Sequence, residues 1–252
     1  MAKIPVAAQM YTVRDVAAKD FVGTFKEVAK IGYAGVELAG DGGFSAKELR
    51  ALLEDLNLKI AGNHVGIEKL ETALDEAIHY NRELGNPNIV VPYMPEPRRA
   101  DANGWRQTAK LLNQFGQRCK EAGMVLCYHN HSFEFQKFEG KYGLEILMEE
   151  TDPSLVYAEV DTYWVQHGGE DPAAFIRRYP GRARLLHLKD MANDAERSFA
   201  EVGEGILDFK AIFAAAEVGK TEWYIVEQDV CKRPSINSLR ISFENLKKWG
   251  IA

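Results

Sequence analysis

The chain has 252 residues, 46% of them hydrophobic and 27% charged, a balance that sets aside disordered, collagen-like and coiled-coil chains. Its 31 Lys and Arg against 37 Asp and Glu give a formal net charge of −6, which argues against nucleic acid as the main ligand, since phosphate recognition draws on a basic excess. There is no run of 18 apolar residues, no sustained apolar region in the opening nine residues and no CxxC spacing among Cys119, Cys127 and Cys231; the sequence predicts a cytoplasmic protein with no membrane span, signal peptide, disulfide framework or structural zinc.

Short apolar runs alternate with helical patterns along the whole chain. Ile4–Met10, Ala34–Leu38, Lys59–His64, Asn88–Tyr93, Val125–His129, Leu155–Asp161, Ala183–Lys189 and Trp223–Gln228 read as strands. Most are mainly apolar instead of alternating, as strands covered on both faces are. Phe21, Phe25, Val28 and Ala29 recur at helical spacing before Gly32. Ser45 and Glu48 make a capping box ahead of Leu49, Leu52, Leu53 and Leu56. Further helices are predicted over Ile67–Leu84, Asp101–Ala122, Leu144–Glu150, Pro172–Arg178, Asp208–Val218 and Ser238–Trp249. Phe133–Phe138 followed by Glu139-Gly140-Lys141 reads as a small hairpin or extended loop. Eight strand–helix units in one domain of residues 1–252 predict an α/β fold, a (β/α)₈ barrel. The rival, an open doubly wound sheet, lacks a G-x-G-x-x-G after the first strand.

In such a barrel, catalytic groups come from the carboxyl ends of several strands. Those ends carry Gln9 and Tyr11, Glu37, His64, Tyr93, His129 and His131, Asp161, His187 and Lys189, and Glu227. Alternate strand residues share a face, so Glu159 pairs with Asp161, His187 with Lys189, and His129 with His131 if the strand extends that far. Buried carboxylates gathered together need cations. Asp161, His187 and Glu227 offer oxygen and imidazole ligands suited to one divalent ion: Mn²⁺, Mg²⁺, Co²⁺ or Zn²⁺. His129, His131, Lys189 and Glu227 are the candidates for acid–base work, with Glu227 or a strand-five histidine as base and Lys189 or another histidine as acid. Gln9, Tyr11, Glu37, His64 and Trp164 are placed as substrate contacts, with a buried ion pair as the alternative for Glu37 and His64.

Seven segments, in this order and on these strands, carry a resemblance: Gln9 to Asp15, Gly35-Val36-Glu37, Tyr128 to Phe135, Glu159 to Trp164, His187-Leu188-Lys189-Asp190, Glu201 to Gly205, and Val226-Glu227-Gln228. The chain resembles the sugar phosphate isomerase/epimerase family of xylose-isomerase-like TIM barrels, which is also similar to inosose dehydratases. The resemblance implies one divalent metal held by a Glu, an Asp, a His and a second Glu from strands five to eight. The last three match Asp161, His187 and Glu227. The strand-five position holds His129, so the resemblance leaves Glu134, folding back, as the favoured fourth ligand, with His129 or His131 as the alternatives. Relatives often carry Asp-Thr-Gly-His where this chain has Asp161-Thr162-Tyr163-Trp164, so a histidine used there to hold substrate is missing.

The expected activity is isomerisation or epimerisation of a sugar or keto-sugar, by proton transfer through a metal-stabilised enediolate. The alternative is a keto-sugar lyase or inosose-type dehydratase using the same metal site. An abasic-site endonuclease and a non-catalytic sugar-binding barrel rank lower, the former because of the acidic charge. The expected partners are a small carbohydrate and further copies in a homo-oligomer, with no nucleic acid and no membrane.

Overall fold

The computed structural model describes residues 3–252. Eight parallel strands close into a barrel: β1 Val6–Gln9, β2 Gly35–Leu38, β3 Lys59–His64, β4 Asn88–Val91, β5 Val125–His129, β6 Val156–Asp161, β7 Ala183–Leu188 and β8 Trp223–Val226. Each pairs with its sequence neighbour, and β8 closes onto β1 through Val6↔Tyr224, Ala7↔Ile225 and Ala8↔Val226. The helices lie between strands, as short crossovers in a parallel sheet require. Among the described residues, no helix is long and apolar enough to cross a membrane.

Two faces of the strands bury different things. Val36, Val91, Leu126, Val160 and Leu186 point outward into a large cluster with helix residues such as Phe25, Leu49, Leu112 and Leu246. Ala7, Ala61, Val90, Cys127, Leu185, Trp223 and Ile225 form a separate apolar cluster inside the barrel. One step of two residues further along the strands, the inward positions become Gln9, His129, His187 and Glu227. The strand period of two therefore seats a polar layer on an apolar floor.

Several strands end earlier than the apolar runs suggested, because the chain turns at the mouth. After Gln9 the chain enters a 3₁₀ turn, Met10–Val13, capped by the Gln9 side chain. β5 stops at His129, so His131 lies on a loop and not on the strand. There the Asn130 side chain accepts from the Asp161 backbone N–H at 3.0 Å and replaces a ladder bond. The Ser45–Glu48 capping box forms as predicted, and Asp101 caps the helix Ala102–Glu121 through the Gly104 N–H. The final helix starts a turn early, at Ser235 directly after Pro234. A short helix, Thr162–His167, follows β6 at once, with Asp161 as its cap. The predicted hairpin is half a 3₁₀ turn, Phe133–Phe135, and half a true antiparallel pair, Lys137–Phe138 with Lys141–Tyr142. A second pair, Asp190–Met191 with Phe199–Ala200, lies after β7.

Candidate active site at the barrel mouth

Two clusters of ligating groups share the polar layer. His129, Asp161, His187 and Glu227 bring one ligand atom each within 4.8 Å of one another, and His64, His129, Glu159 and His187 do the same. The clusters meet at His129 and His187, which turn opposite ring nitrogens toward each. His187 Nδ1 lies 2.8 Å from Glu227 Oε2, while its Nε2 lies 2.6 Å from Glu37 Oε2 and 3.1 Å from Glu159 Oε2. His129 Nε2 lies 3.7 Å from Asp161 Oδ2, and its Nδ1 lies 3.0 Å from Glu159 Oε2. Lys189 Nζ sits between the carboxylates of Glu227 (2.7 Å), Asp161 (2.8 Å) and Asp229 (3.0 Å).

The electrostatics follow from packing five carboxylates (Glu37, Glu159, Asp161, Glu227, Asp229) around the cations of His64, His187 and Lys189. Despite burial, Lys189 and His187 hold Glu227 well below the usual carboxylate range. His64 and His187 do the same for Glu37. Burial, reinforced by Glu227, pushes Asp161 up to about 6 even beside Lys189. Burial and the neighbouring Glu37 raise Glu159. Despite its burial, His64 is pushed up to about 10 by Glu37 and Glu159. The other side of the site behaves oppositely. Burial and the neighbouring His187 hold His129 neutral, and burial with the Lys189 charge lowers His131 to about 3. The layer thus contains both charged and neutral imidazoles within 6 Å of one another, since the His64 and His129 rings are 5.5 Å apart and those of His129 and His131 5.0 Å.

A divalent cation fits the first cluster. Two carboxylates and two imidazoles are a suitable donor set for Mn²⁺, Co²⁺ or Zn²⁺. Asp161 Oδ2 is fully buried and turned toward both the Lys189 ammonium at 2.8 Å and His129 Nε2 at 3.7 Å, so the carboxylate oxygen faces the other groups of the cluster. A ligating His187 must shed its second proton, so with an ion bound the five carboxylates would face only His64 and Lys189 as cations, an excess that a divalent charge offsets. His129, Asp161, His187 and Glu227 are therefore the residues that could hold a metal.

Glu134 is not brought to that set. The 3₁₀ turn carries it behind β5, where Oε1 accepts from the Tyr128 hydroxyl at 2.8 Å and Oε2 from the His131 N–H at 2.9 Å. With both oxygens engaged and no exposure, it is a buried carboxyl raised to about 8 by desolvation, and His129 takes the strand-five place beside the other three. Gln9 and Glu37, expected as substrate contacts, are fully buried and hydrogen-bonded to each other, with Glu37 also on His187 and His64. His64, Tyr11, His129, His131 and Glu227 line a cavity of about 560 Å³, together with Asp229 and Pro92. Trp164 is set beside it, its ring 5.6 Å from that of His131 and 5.8 Å from the Lys189 ammonium. Sequence reasoning left Glu159 unassigned and missed Asp229; the shared face with Asp161 was the available signal for the first, and Glu227 two residues earlier for the second.

A barrel with this mouth defines a class. The family model of xylose isomerase-like TIM barrels matches residues 25–249, and the chain belongs to that family. Among curated relatives, the chain is 27% identical to the inosose dehydratase of Clostridium tetani over 90% of this chain and 89% of that protein. It is 28% identical to that of Geobacillus kaustophilus over 81% and 78%. Among solved structures it is similar to a sugar phosphate isomerase/epimerase of Parabacteroides distasonis, with a TM-score of 0.84 and 26% identity over 98% of this chain and 94% of that one. The family is one of sugar-modifying enzymes.

Proposed function

We propose that the protein is a lyase that removes water from a polyhydroxylated ketone, an inosose or related keto-sugar, at a divalent-metal site held by His129, Asp161, His187 and Glu227. The observation that carries this reading is the gathering of His129, Asp161, His187 and Glu227 at a cavity also lined by two further imidazoles, His64 and His131, the first drawn toward its charged form and the second toward its neutral one. Groups whose environments drive their pKa values apart are suited to opposite roles in proton transfer. His131, neutral and on the cavity wall, takes the proton from the carbon next to the ketone. His64, whose charge is fixed by Glu37 and Glu159, donates a proton to the departing hydroxyl. The bound ion would supply Lewis-acid stabilisation of charge at the ketone oxygen. Lys189, wholly buried, does not touch the substrate; it holds Asp161, Glu227 and Asp229 in place.

The dehydratase names of the curated relatives favour elimination over the isomerisation expected from sequence. The Parabacteroides neighbour supports a second reading, in which the proton returns to carbon and the product is an epimer or isomer. Both are separated by one experiment: Co²⁺- or Mn²⁺-loaded protein incubated with inososes and keto-sugars in heavy water. Loss of water to a diketone supports the lyase. Deuterium uptake at carbon without loss of water supports the isomerase. Neither process with any of these substrates overturns both.

A further inference from the structure

We infer that Glu37, anchored by Gln9, is a positioning residue that fixes the ring of His187 so that Nδ1 faces Asp161 and Glu227. The inference rests on the metal reading above and deepens it. A chain of contacts starts at the backbone. The Tyr11 N–H donates to Gln9 Oε1 at 3.0 Å, which fixes the amide's orientation and leaves its Nε2 as the donor. That Nε2 donates to Glu37 Oε2 at 2.7 Å. The same carboxylate oxygen accepts from His187 Nε2 at 2.6 Å, closer than Glu159 Oε2, which lies 3.1 Å from that nitrogen. The opposite nitrogen, Nδ1, is then the one turned to Glu227 Oε2 at 2.8 Å and Asp161 Oδ2 at 4.0 Å. Space for Glu37 is built in. The β2–β3 register shifts between Val36 and Glu37, and facing Gly62 has no side chain where a Cβ would come within 2.3 Å of Glu37 Oε1. Gln9, Glu37 and His187 are all fully buried, so none of these contacts is a substitute for substrate binding. A carboxylate on the far nitrogen is how ligating histidines are held in one tautomer and orientation.

The test uses protein with ¹⁵N-labelled histidine. Without metal, the wild type should show a slowly exchanging low-field His187 Nε2 proton, lost in Glu37→Met and kept in Glu37→Gln, whose carbonyl still accepts. Co²⁺ affinity, read by its visible absorption, should fall about 10- to 100-fold in Glu37→Met and by much less in Glu37→Gln. In wild type loaded with ¹¹³Cd²⁺, scalar coupling should appear at His187 Nδ1 and not Nε2, a measurement that needs no variant. Coupling at Nε2, or an unchanged ring signal and Co²⁺ affinity in Glu37→Met, overturns the inference while the metal site stands. Wild type that binds neither Co²⁺ nor Cd²⁺ overturns the metal reading, whereas loss of the Nε2 proton in Glu37→Met would still uphold the positioning role.

Discussion

Lys189 lies among three carboxylates with no exposure, its ammonium nearly equidistant from Asp161, Glu227 and Asp229. A buried ammonium in that setting is held charged, since the acids outweigh its desolvation. It therefore acts as a resident counter-ion for the same two carboxylates that would ligate a metal. Removing it leaves Asp161 and Asp229 without their cation and Glu227 with His187 alone; breaking a buried ion pair costs about 3–5 kcal/mol. Lys189→Met is expected to unfold at a lower temperature than wild type in the presence of a chelator. Added Co²⁺ should raise its midpoint by more than it raises that of wild type, because the ion replaces the lost charge. Thermal unfolding with and without Co²⁺ measures both. An equal metal-induced rise in the two proteins would show that Lys189 and the metal do not share Asp161 and Glu227.

At the scale of the elements, the site depends on how deep each strand end places its side chain. β2 and β3 carry the clearest example, because Gly62 leaves the room that Glu37 occupies. Gly62→Ala is expected to fold with the same barrel and to lose about 1–3 kcal/mol of stability, the cost of forcing a side chain into filled space. Its Co²⁺ affinity should fall with it, since Glu37 must leave His187. Denaturant titration and Co²⁺ binding check the pair, and a stable variant with full affinity would show that Glu37 moves aside freely. The same dependence on depth explains what the sequence reveals and what it hides. Apolar runs and capping residues such as Ser45 and Asp101 make the eight units legible, and polar residues at the strand ends mark the mouth. Spacing by two correctly pairs Glu159 with Asp161 and His187 with Lys189. Depth is not legible, because it comes from the stagger between strands and from register shifts at Val36/Glu37 and Ala158/Glu159. For that reason the sequence does not show that Gln9 and Glu37 are fully buried and absent from the wall of the cavity. The direction of Glu134 is hidden for a related reason: the turn that carries it is fixed by the Tyr128 hydroxyl and the His131 N–H, contacts that no periodicity encodes.

The whole barrel is tied together by its polar layer as well as by its apolar floor. His64 on β3 reaches Glu37 on β2 at 3.2 Å and Glu159, across the barrel on β6, at 3.0 Å. Its imidazolium thus joins strands that are not neighbours in the sheet. The two carboxylates push its pKa from 6.5 up to about 10 in the folded protein, in spite of burial. In the unfolded chain it titrates near the ordinary value. Between these values the folded state binds a proton that the unfolded state has lost, so stability must fall as pH rises. The contribution is fully present below about 6.5 and is lost as pH passes about 10. His64→Gln keeps a polar side chain of similar reach and removes the titration. With metal chelated, wild type should exceed the variant by about 2 kcal/mol near pH 6.5, the scale of a hydrogen bond to a charged group, and the gap should close toward pH 10. His187 and Lys189 titrate in both proteins, so the difference reports His64 together with its partners Glu37 and Glu159. Denaturant unfolding at intervals from pH 6 to pH 10 reads the gap directly; a difference that stays constant across that range would mean that His64 is not held charged, and the acid assigned to it in the elimination would have to be sought elsewhere in the cavity.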